Sequence, residues 1–274
     1  MINNETFKAV GIIGKPLNQS LSPYLHNYWI NKYKLSSYYL PLPIDNVNYL
    51  KEAIKKLNFL GLNITIPYKK SIFNQLDIID TNAKKIGAVN TLIFSNNKLK
   101  GFNTDIIGFK KGLLKKKWNK KRPVIIIGAG GAAEAIIYFL KLEKIKDITV
   151  VNRTEKRAKE IEKKYKSIKL SSDFKLDTKE AGLIINTSSL GMIGYPKLKI
   201  KLNKINKEAI IYDIVYNPID THLIREAKKQ KLEYVTGLDM FIEQARASFE
   251  IWFQIKPETN INLIKNIKKK ISKT

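Results

Sequence analysis

Val124-Ile125-Ile126-Ile127-Gly128-Ala129-Gly130-Gly131-Ala132-Ala133-Glu134 is the stretch that decides the fold. Four branched apolar residues in a row read as a strand buried on both faces, the kind found inside a parallel sheet. The residues after Gly131 stay small and apolar and read as a helix running to about Leu142. Between strand and helix the spacing is G-x-G-x-x-A. Each position has a physical role if a dinucleotide sits there. Gly128 permits the tight turn, Gly130 lets the backbone approach a pyrophosphate, and Ala133 keeps the helix close to the strand. The helix N-terminus then presents N–H groups and a positive dipole end to the phosphates. Glu134 suits that dipole but would repel a phosphate, so its side chain should point away. Many strand–helix turns carry glycine without binding anything; the strand-turn-helix-strand context favours the cofactor here.

The next strand, Ile148–Val151, is followed by Asn152-Arg153-Thr154 and a charged helix over Glu155–Tyr165. In such a unit an acid after this strand accepts from a ribose 2′-hydroxyl, as in NAD enzymes. An arginine there holds a 2′-phosphate, as in NADP enzymes. No acid precedes Glu155, and Arg153, Lys156 and Arg157 cluster at the position. Arg157 lies four residues beyond Arg153, on the same helical side. The spacing therefore predicts NADP(H), against the alternative that these are further surface charges in a lysine-rich chain. Strands at Leu183–Asn186 and Ile210–Val215, a helix at His222–Lys229 and a helix at Met240–Trp252 follow. The lysine-rich stretch after Ile264 reads as a solvated helix end.

The N-terminal side repeats the alternation. A strand over Ala9–Gly14 leads to a helix with Ser22 as cap and Pro23 in its first position, continuing through Tyr33. Tyr38–Pro41 is a second strand. Val47, Leu50, Ala53, Ile54 and Leu57 have helical spacing, and Leu60–Ile66 is a third strand ending at Pro67. Another helix starts near Thr104. The expectation is an α/β protein of two units in series, each with a mostly parallel sheet, and with a cleft between them where ligands commonly bind.

Composition narrows the class. A length of 274 residues, 44% hydrophobic, supports a sizeable core and excludes wholesale disorder. No apolar run reaches membrane-spanning length. The N-terminus lacks a basic segment, an apolar stretch and a cleavage site in series, so no signal peptide is read. With no cysteine, disulfides and thiolate metal sites are excluded. His26 and His222 alone make no plausible zinc site. His26 is expected to hydrogen-bond within its loop and His222 to start a surface helix. The formal charge of +26 has two readings, a polyanion-binding surface or lysine filling solvated faces. Basic residues are scattered along the chain and are not interleaved with aromatics, which favours the second. The charge can still steer an anionic substrate and cofactor.

Four polar clusters lie outside the glycine turn. Ser20 and Ser22, followed by His26-Asn27, could bind a carboxylate, or Ser22 could simply cap a helix. Asn63 and Thr65 share one face by the two-residue period of a strand, and Lys69 follows. Gly87-Ala88-Val89-Asn90-Thr91 and Gly101-Phe102-Asn103-Thr104-Asp105 are also compatible with ordinary turn chemistry.

Taken together, these blocks resemble the shikimate dehydrogenase family. The match runs through S-x-S-P-x-x-H-N at Ser20–Asn27, N-x-T-x-P-x-K at Asn63–Lys69, G-A-V-N-T at Gly87–Thr91 and N-T-D at Asn103–Asp105. It continues through G-A-G-G-A at Gly128–Ala132, N-R-T-x-x-R-A at Asn152–Ala158, N-T-S at Asn186–Ser188, Tyr212-Asp213 with Tyr216, and G-x-x-M-x-x-x-Q-A at Gly237–Ala245. The blocks keep family order from about residue 7 to residue 250.

The resemblance implies a Rossmann-type NADP domain over residues 106–238. It also implies a smaller α/β substrate domain over 1–105, completed by helices in 239–274. The implied activity is the NADPH-dependent, reversible reduction of 3-dehydroshikimate to shikimate, in the cytoplasm. The implied partner is this small molecule, without nucleic acid, membrane or metal, in a monomer or homodimer. Ser20 and Ser22 would hold the substrate carboxylate. Thr65, Asn90 and Gln244 would bond ring hydroxyls, and Tyr216 would complete the pocket. Lys69 and Asp105 would form the catalytic pair and also touch substrate. Gly128, Ala129, Gly130, Gly131, Ala132, Asn152, Arg153, Thr154, Arg157, Thr187, Gly237 and Met240 would lie along the cofactor. Two departures stand out: Ile106 and Asp239 occupy positions where relatives often carry glycine.

Overall fold

The computed structural model describes residues 7–173, 178–202 and 204–272. The chain divides into two compact units, one of Met1–Thr104 with Gln244–Lys270, the other of Asp105–Glu243.

In the first unit, β1 (Lys8–Gly14) leads to α1 (Ser22–Lys32), β2 (Ser37–Pro43), α2 (Leu50–Lys56) and β3 (Phe59–Ile64). A short 3-10 turn at Ser71–Gln75 precedes β4 (Ile78–Ile79), α3 (Thr81–Ile86), β5 (Thr91–Ser95) and β6 (Lys98–Phe102). The sheet order is β2-β1-β3-β5-β6-β4. β1 pairs in parallel with β2 and β3, and β4 with β6, while β5 runs antiparallel to both β3 and β6. The β5–β6 hairpin turns at Asn96-Asn97, both with positive φ, a conformation asparagine tolerates better than most residues.

Four local expectations change. Ser22 is the first helical residue rather than the cap; Leu21 holds the cap position and makes no side-chain bond there. α2 starts at Leu50, because Tyr49 adopts a left-handed conformation that ends helical continuity with Val47. Val47 is nevertheless buried in the core, so its apolar spacing was real but came from tertiary packing. β3 stops at Ile64, two residues short, where the chain turns toward the Ile66–Pro67 bond. His26 lies within α1, fully buried, and neither ring nitrogen has a hydrogen-bond partner. It does not bond within a loop. Its ring stacks on Tyr39 at 4.4 Å, with Trp29, Phe249 and Trp252 around it. Burial holds its pKa down to about 3, so the imidazole is neutral.

In the second unit, α4 (Asp105–Leu113) precedes β7 (Val124–Ile127), α5 (Gly131–Leu142), β8 (Ile148–Val151), α6 (Glu155–Lys164) and β9 (Ile168–Ser171). Then come β10 (Leu183–Asn186), β11 (Ile210–Asp213), α7 (His222–Lys229) and β12 (Glu233–Val235). α8 (Gly237–Phe253) starts here and ends in the first unit, which α9 (Ile261–Ile271) follows. The sheet is wholly parallel, in the order β12-β11-β10-β7-β8-β9. β7 and β10 are neighbours although two strands separate them in sequence, so the chain reverses its winding between them. That reversal is where a doubly wound sheet receives ligands, outside the carboxyl ends of the strands. β7 and β10 are buried along their whole length, which explains the apolar runs Val124–Ile127 and Leu183–Ile185. No helix among the described residues is long and apolar enough to cross a membrane.

Candidate active site

The carboxyl ends of β7 and β10 are in register, Ile127 opposite Asn186. The chain continues as Gly128 on one side and Thr187 on the other. Thr187 donates both its backbone N–H and its hydroxyl to the Ile127 carbonyl, each at 2.8 Å. Gly128 has φ +107°, and a Cβ there would lie 2.7 Å from Thr187 Oγ1. Backbone conformation and packing both demand glycine at 128.

Gly130 differs. Its backbone is extended and open to any residue, and an added Cβ would meet nothing within 4 Å. The protein has no use of its own for a missing side chain there; a ligand approaching the backbone does. Gly130 is also the N-cap of α5, which carries no side-chain capping bond. Gly131 and Ala132 are half-buried in the first turn, Ala129 and Ala133 fully buried against the core. This cradle fits a dinucleotide pyrophosphate.

After β8, Asn152 donates from Nδ2 to the Thr154 carbonyl at 2.8 Å, shaping the turn into α6. Arg153, Thr154 and Arg157 are exposed. Among the described residues neither guanidinium is held in an ion pair with a carboxylate. Two uncommitted forks at this position fit a 2′-phosphate. Gly237 opens α8 so close to β11 that a Cβ would lie 2.2 Å from the Ile214 carbonyl oxygen. Met240 is buried in the core of this unit, in the same apolar cluster as Phe109 and Tyr212. Tyr216 stacks on Phe241 at 4.5 Å. Asp239 forms an ion pair with Lys115 at 2.5 Å, tying the start of α8 to the chain just beyond α4.

One residue at this edge was missed by sequence reasoning beyond its place in a motif. Asp213 ends β11 with no exposure. It accepts from Asn186 Nδ2 at 2.9 Å, from the Val215 N–H at 3.0 Å and from the Thr221 hydroxyl at 2.7 Å. Asn186 in turn accepts from the Ser188 N–H and hydroxyl, and Thr221 caps α7. One carboxylate thus gathers the chain around Thr187, the chain leading to Tyr216 and the start of α7. Burial raises its pKa to about 6 against these three hydrogen bonds, which pull it down. An acid ending an apolar strand, with Asn186 ending its neighbour, was the available signal.

In the first unit the polar blocks interlock. Asn63, buried on β3, accepts from the Tyr39 hydroxyl at 2.8 Å. It donates to the Asn90 carbonyl, Thr91 Oγ1 and Ser248 Oγ, all at 3.0–3.1 Å. Asn90 takes the Thr104 N–H on Oδ1 at 2.7 Å and gives Nδ2 to Thr104 Oγ1 at 3.0 Å. Asn103 donates to the Ala88 carbonyl at 2.8 Å. Ser248, one turn beyond Gln244, donates to the Gln244 carbonyl and meets the Thr91 and Thr104 hydroxyls. Asn63 is therefore a scaffold residue, although the strand period groups it with Thr65.

Thr65 and Lys69 are half-buried. Thr65 continues the ladder past β3, donating its N–H to the Ile13 carbonyl at 3.0 Å. The Lys69 carbonyl accepts the Val89 N–H at 2.8 Å. Ser20 is half-buried, Ser22 is buried, and the Ser22 N–H points to Ser20 Oγ at 3.4 Å. Asp105 opens α4 and is 5% exposed. The buried network fixes the backbone that immediately precedes Asp105 through the Thr104 N–H, while the Lys69 carbonyl is held by the main chain at Val89, next to Asn90.

Comparison with known proteins supplies the remaining findings. The sequence model described as shikimate dehydrogenase substrate binding domain matches residues 12–92. That described as shikimate / quinate 5-dehydrogenase matches 112–230, and that described as shikimate 5′-dehydrogenase C-terminal domain matches 237–261. The shikimate dehydrogenase (NADP(+)) of Methanococcus vannielii is 41% identical over 98% of this chain and 100% of its own. The crystal structure of shikimate dehydrogenase from Aquifex aeolicus is 32% identical, with a TM-score of 0.84 and complete coverage of both chains. The Thermus thermophilus enzyme, crystallised with NADP(H) and shikimate, is 28% identical with a TM-score of 0.83, covering 96% of this chain and 99% of its own.

Proposed function

The chain belongs to the shikimate dehydrogenase family, and on that premise we propose that it catalyses the NADPH-dependent, reversible reduction of 3-dehydroshikimate to shikimate, a step of aromatic amino acid biosynthesis. The observation that carries the cofactor half of this reading is the open approach to Gly130 at the capless start of α5, with Arg153 and Arg157 uncommitted at the start of α6. When bound, NADPH supplies the hydride.

The protein's own residues supply position and charge. Gly128–Ala132 receive the pyrophosphate, and Arg153 and Arg157 receive the 2′-phosphate. Asn152 and Thr154 shape the adenosine end; Thr187, Gly237 and Met240 border the nicotinamide end. Ser20 and Ser22 bind the substrate carboxylate through their hydroxyls. Thr65, Asn90 and Gln244 bond the ring hydroxyls, and Tyr216 adds an aromatic wall.

Reduction of the ketone puts negative charge on its oxygen. The Lys69 ammonium stabilises that charge and delivers a proton to the same oxygen, giving the secondary alcohol. Asp105 orients Lys69. Two bonds support this assignment: Asn90 Oδ1 holds the Thr104 N–H just before Asp105, and the Val89 N–H holds the Lys69 carbonyl. The reading carries a cytoplasmic enzyme acting on a small molecule, as a monomer or homodimer.

The test is shikimate-dependent reduction of NADP⁺ by the purified protein, followed by NADPH absorbance. Turnover with shikimate and NADP⁺ is expected. Its absence, in protein that is folded by circular dichroism, would sink the assignment.

A further inference from the structure

Glu134 is a buried acid at the end of α5 that would receive an anion. Its side chain is 4% exposed and lies in the first turn of the helix. That turn starts at Gly131, directly after the cap residue Gly130. One turn of helix rises only about 5.4 Å. A carboxylate and a pyrophosphate would thus share one helix N-terminus. The carboxylate does not stand alone: Lys164 Nζ lies 2.6 Å from Glu134 Oε2. Lys164 is the last residue of α6, where a cation also suits the helix dipole. The neighbouring Tyr165 feels the acid too. Burial, then the Glu134 charge, then Tyr138 push its phenol well above the usual tyrosine range.

We propose that Lys164 is a positioning residue for cofactor binding: its ammonium neutralises Glu134, so that the N-terminus of α5 stays receptive to the pyrophosphate of NADP(H). The proposal rests on the functional reading above and adds to it a residue that touches neither substrate nor cofactor. The physical argument is Coulombic. Solvent screens a charge at the surface, but a carboxylate this buried is screened weakly, and its repulsion reaches across a helical turn. With an effective dielectric constant near 20, an unmatched charge at about 10 Å weakens binding of a phosphate charge on the order of tenfold. The Lys164 ammonium cancels most of that field at its source.

The rival account is a purely structural ion pair that pins α5 to α6, and neutralising each partner, singly and together, separates the two. NADP⁺ dissociation constants are measured for the wild type, Lys164→Gln, Glu134→Gln and the double variant, at low and moderate salt, with the KM for shikimate and the thermal midpoint recorded for each. Lys164→Gln is expected to bind NADP⁺ on the order of tenfold more weakly, with the deficit larger at low salt. Its shikimate KM should stay within about twofold of the wild type. Glu134→Gln should bind at least as tightly as the wild type. The double variant, which has lost the ion pair but also the offending charge, should recover wild-type affinity to within about twofold.

A double variant as weak as Lys164→Gln overturns the proposal in favour of the structural account. So does Glu134→Gln binding NADP⁺ worse than wild type, a result that does not depend on how well Lys164→Gln folds. Wild-type protein that does not bind NADP⁺ overturns the functional reading itself, and the proposal with it.

Discussion

Asn90 Oδ1 accepts the backbone N–H of Thr104 at 2.7 Å, inside a buried hydroxyl and amide cluster. That bond ties the chain just after the Lys69–Val89 contact to the chain just before Asp105. Replacing Asn90 with Ala leaves the Thr104 N–H buried without this acceptor. The expected loss is about 1–3 kcal/mol of stability, with turnover lowered further because Asn90 is also assigned to the substrate. Urea unfolding measures the first effect; Asn90→Asp, which keeps the acceptor, should recover part of it. An Asn90→Ala midpoint equal to the wild type would remove the scaffold role.

Lys69 is a separate case, since its side chain is assigned to chemistry and its backbone to the scaffold. Lys69→Ala keeps the carbonyl that accepts Val89. Turnover should fall by roughly 10²–10⁴-fold, while the thermal midpoint and NADP⁺ affinity hold. Activity at the wild-type level would end the catalytic assignment.

The two glycines of the turn should part company on substitution. Gly128→Ala puts a Cβ at positive φ and 2.7 Å from Thr187 Oγ1, so stability and cofactor binding should fall together. Gly130→Ala meets no protein atom, so the midpoint should stay put while NADP⁺ affinity drops. Differential scanning calorimetry beside isothermal titration reads both. An unaltered affinity in Gly130→Ala would argue that no ligand backbone lies over this turn.

Cofactor choice should reside in Arg153 and Arg157. Arg153→Ala removes a charge-assisted fork from the 2′-phosphate, and the KM for NADPH should rise by roughly ten- to a hundredfold. The KM for NADH, which lacks that phosphate, should barely move. Equal changes for the two cofactors would locate the phosphate elsewhere.

Two buried groups give stability opposite pH dependences. The folded-state pKa of His26 is about 3, below the 6.5 of the free side chain. Its contribution is present above pH 6.5 and lost as pH falls toward 3, by up to about 5 kcal/mol. The folded-state pKa of Asp213 is raised from 3.8 to about 6. Its contribution is present below pH 3.8 and lost as pH rises through 6, by about 3 kcal/mol. His26→Phe should therefore flatten the acid limb of the unfolding midpoint between pH 6.5 and 3.5. Asp213→Asn, which can donate to the Thr221 hydroxyl in place of accepting from it, should remove the opposing slope between pH 4 and 6. Midpoints in urea across that range decide both.

In the second unit β7, β8, β10 and β11 were legible as sequence because each is an apolar run buried along nearly all its length, whereas β9 and β12, with exposed Lys169 and Glu233, were not read as strands. β7, β8 and β10 start and stop where the sequence places them. The glycine turn was legible for a related reason: a backbone that must bend and admit a ligand excludes side chains, and exclusion leaves a mark at fixed spacing. The first unit was harder to read. β5 and β6 are flanked by Asn90, Asn103 and Thr104, whose amides and hydroxyls look like turn chemistry until the hydrogen bonds among them are known.

Sequence by itself determined the α/β class, the nucleotide cradle and the identity of the polar blocks, since these follow from local periodicity and from order along the chain. Tertiary structure alone decided that Asn63 braces rather than binds and that His26 sits neutral in an aromatic cage. It also decided that Asp213 gathers three segments and that Lys164 answers Glu134. Each of those is a pairing between residues distant in sequence, and burial, which sets whether a polar group is costly or useful, exists only once the chain has closed around it.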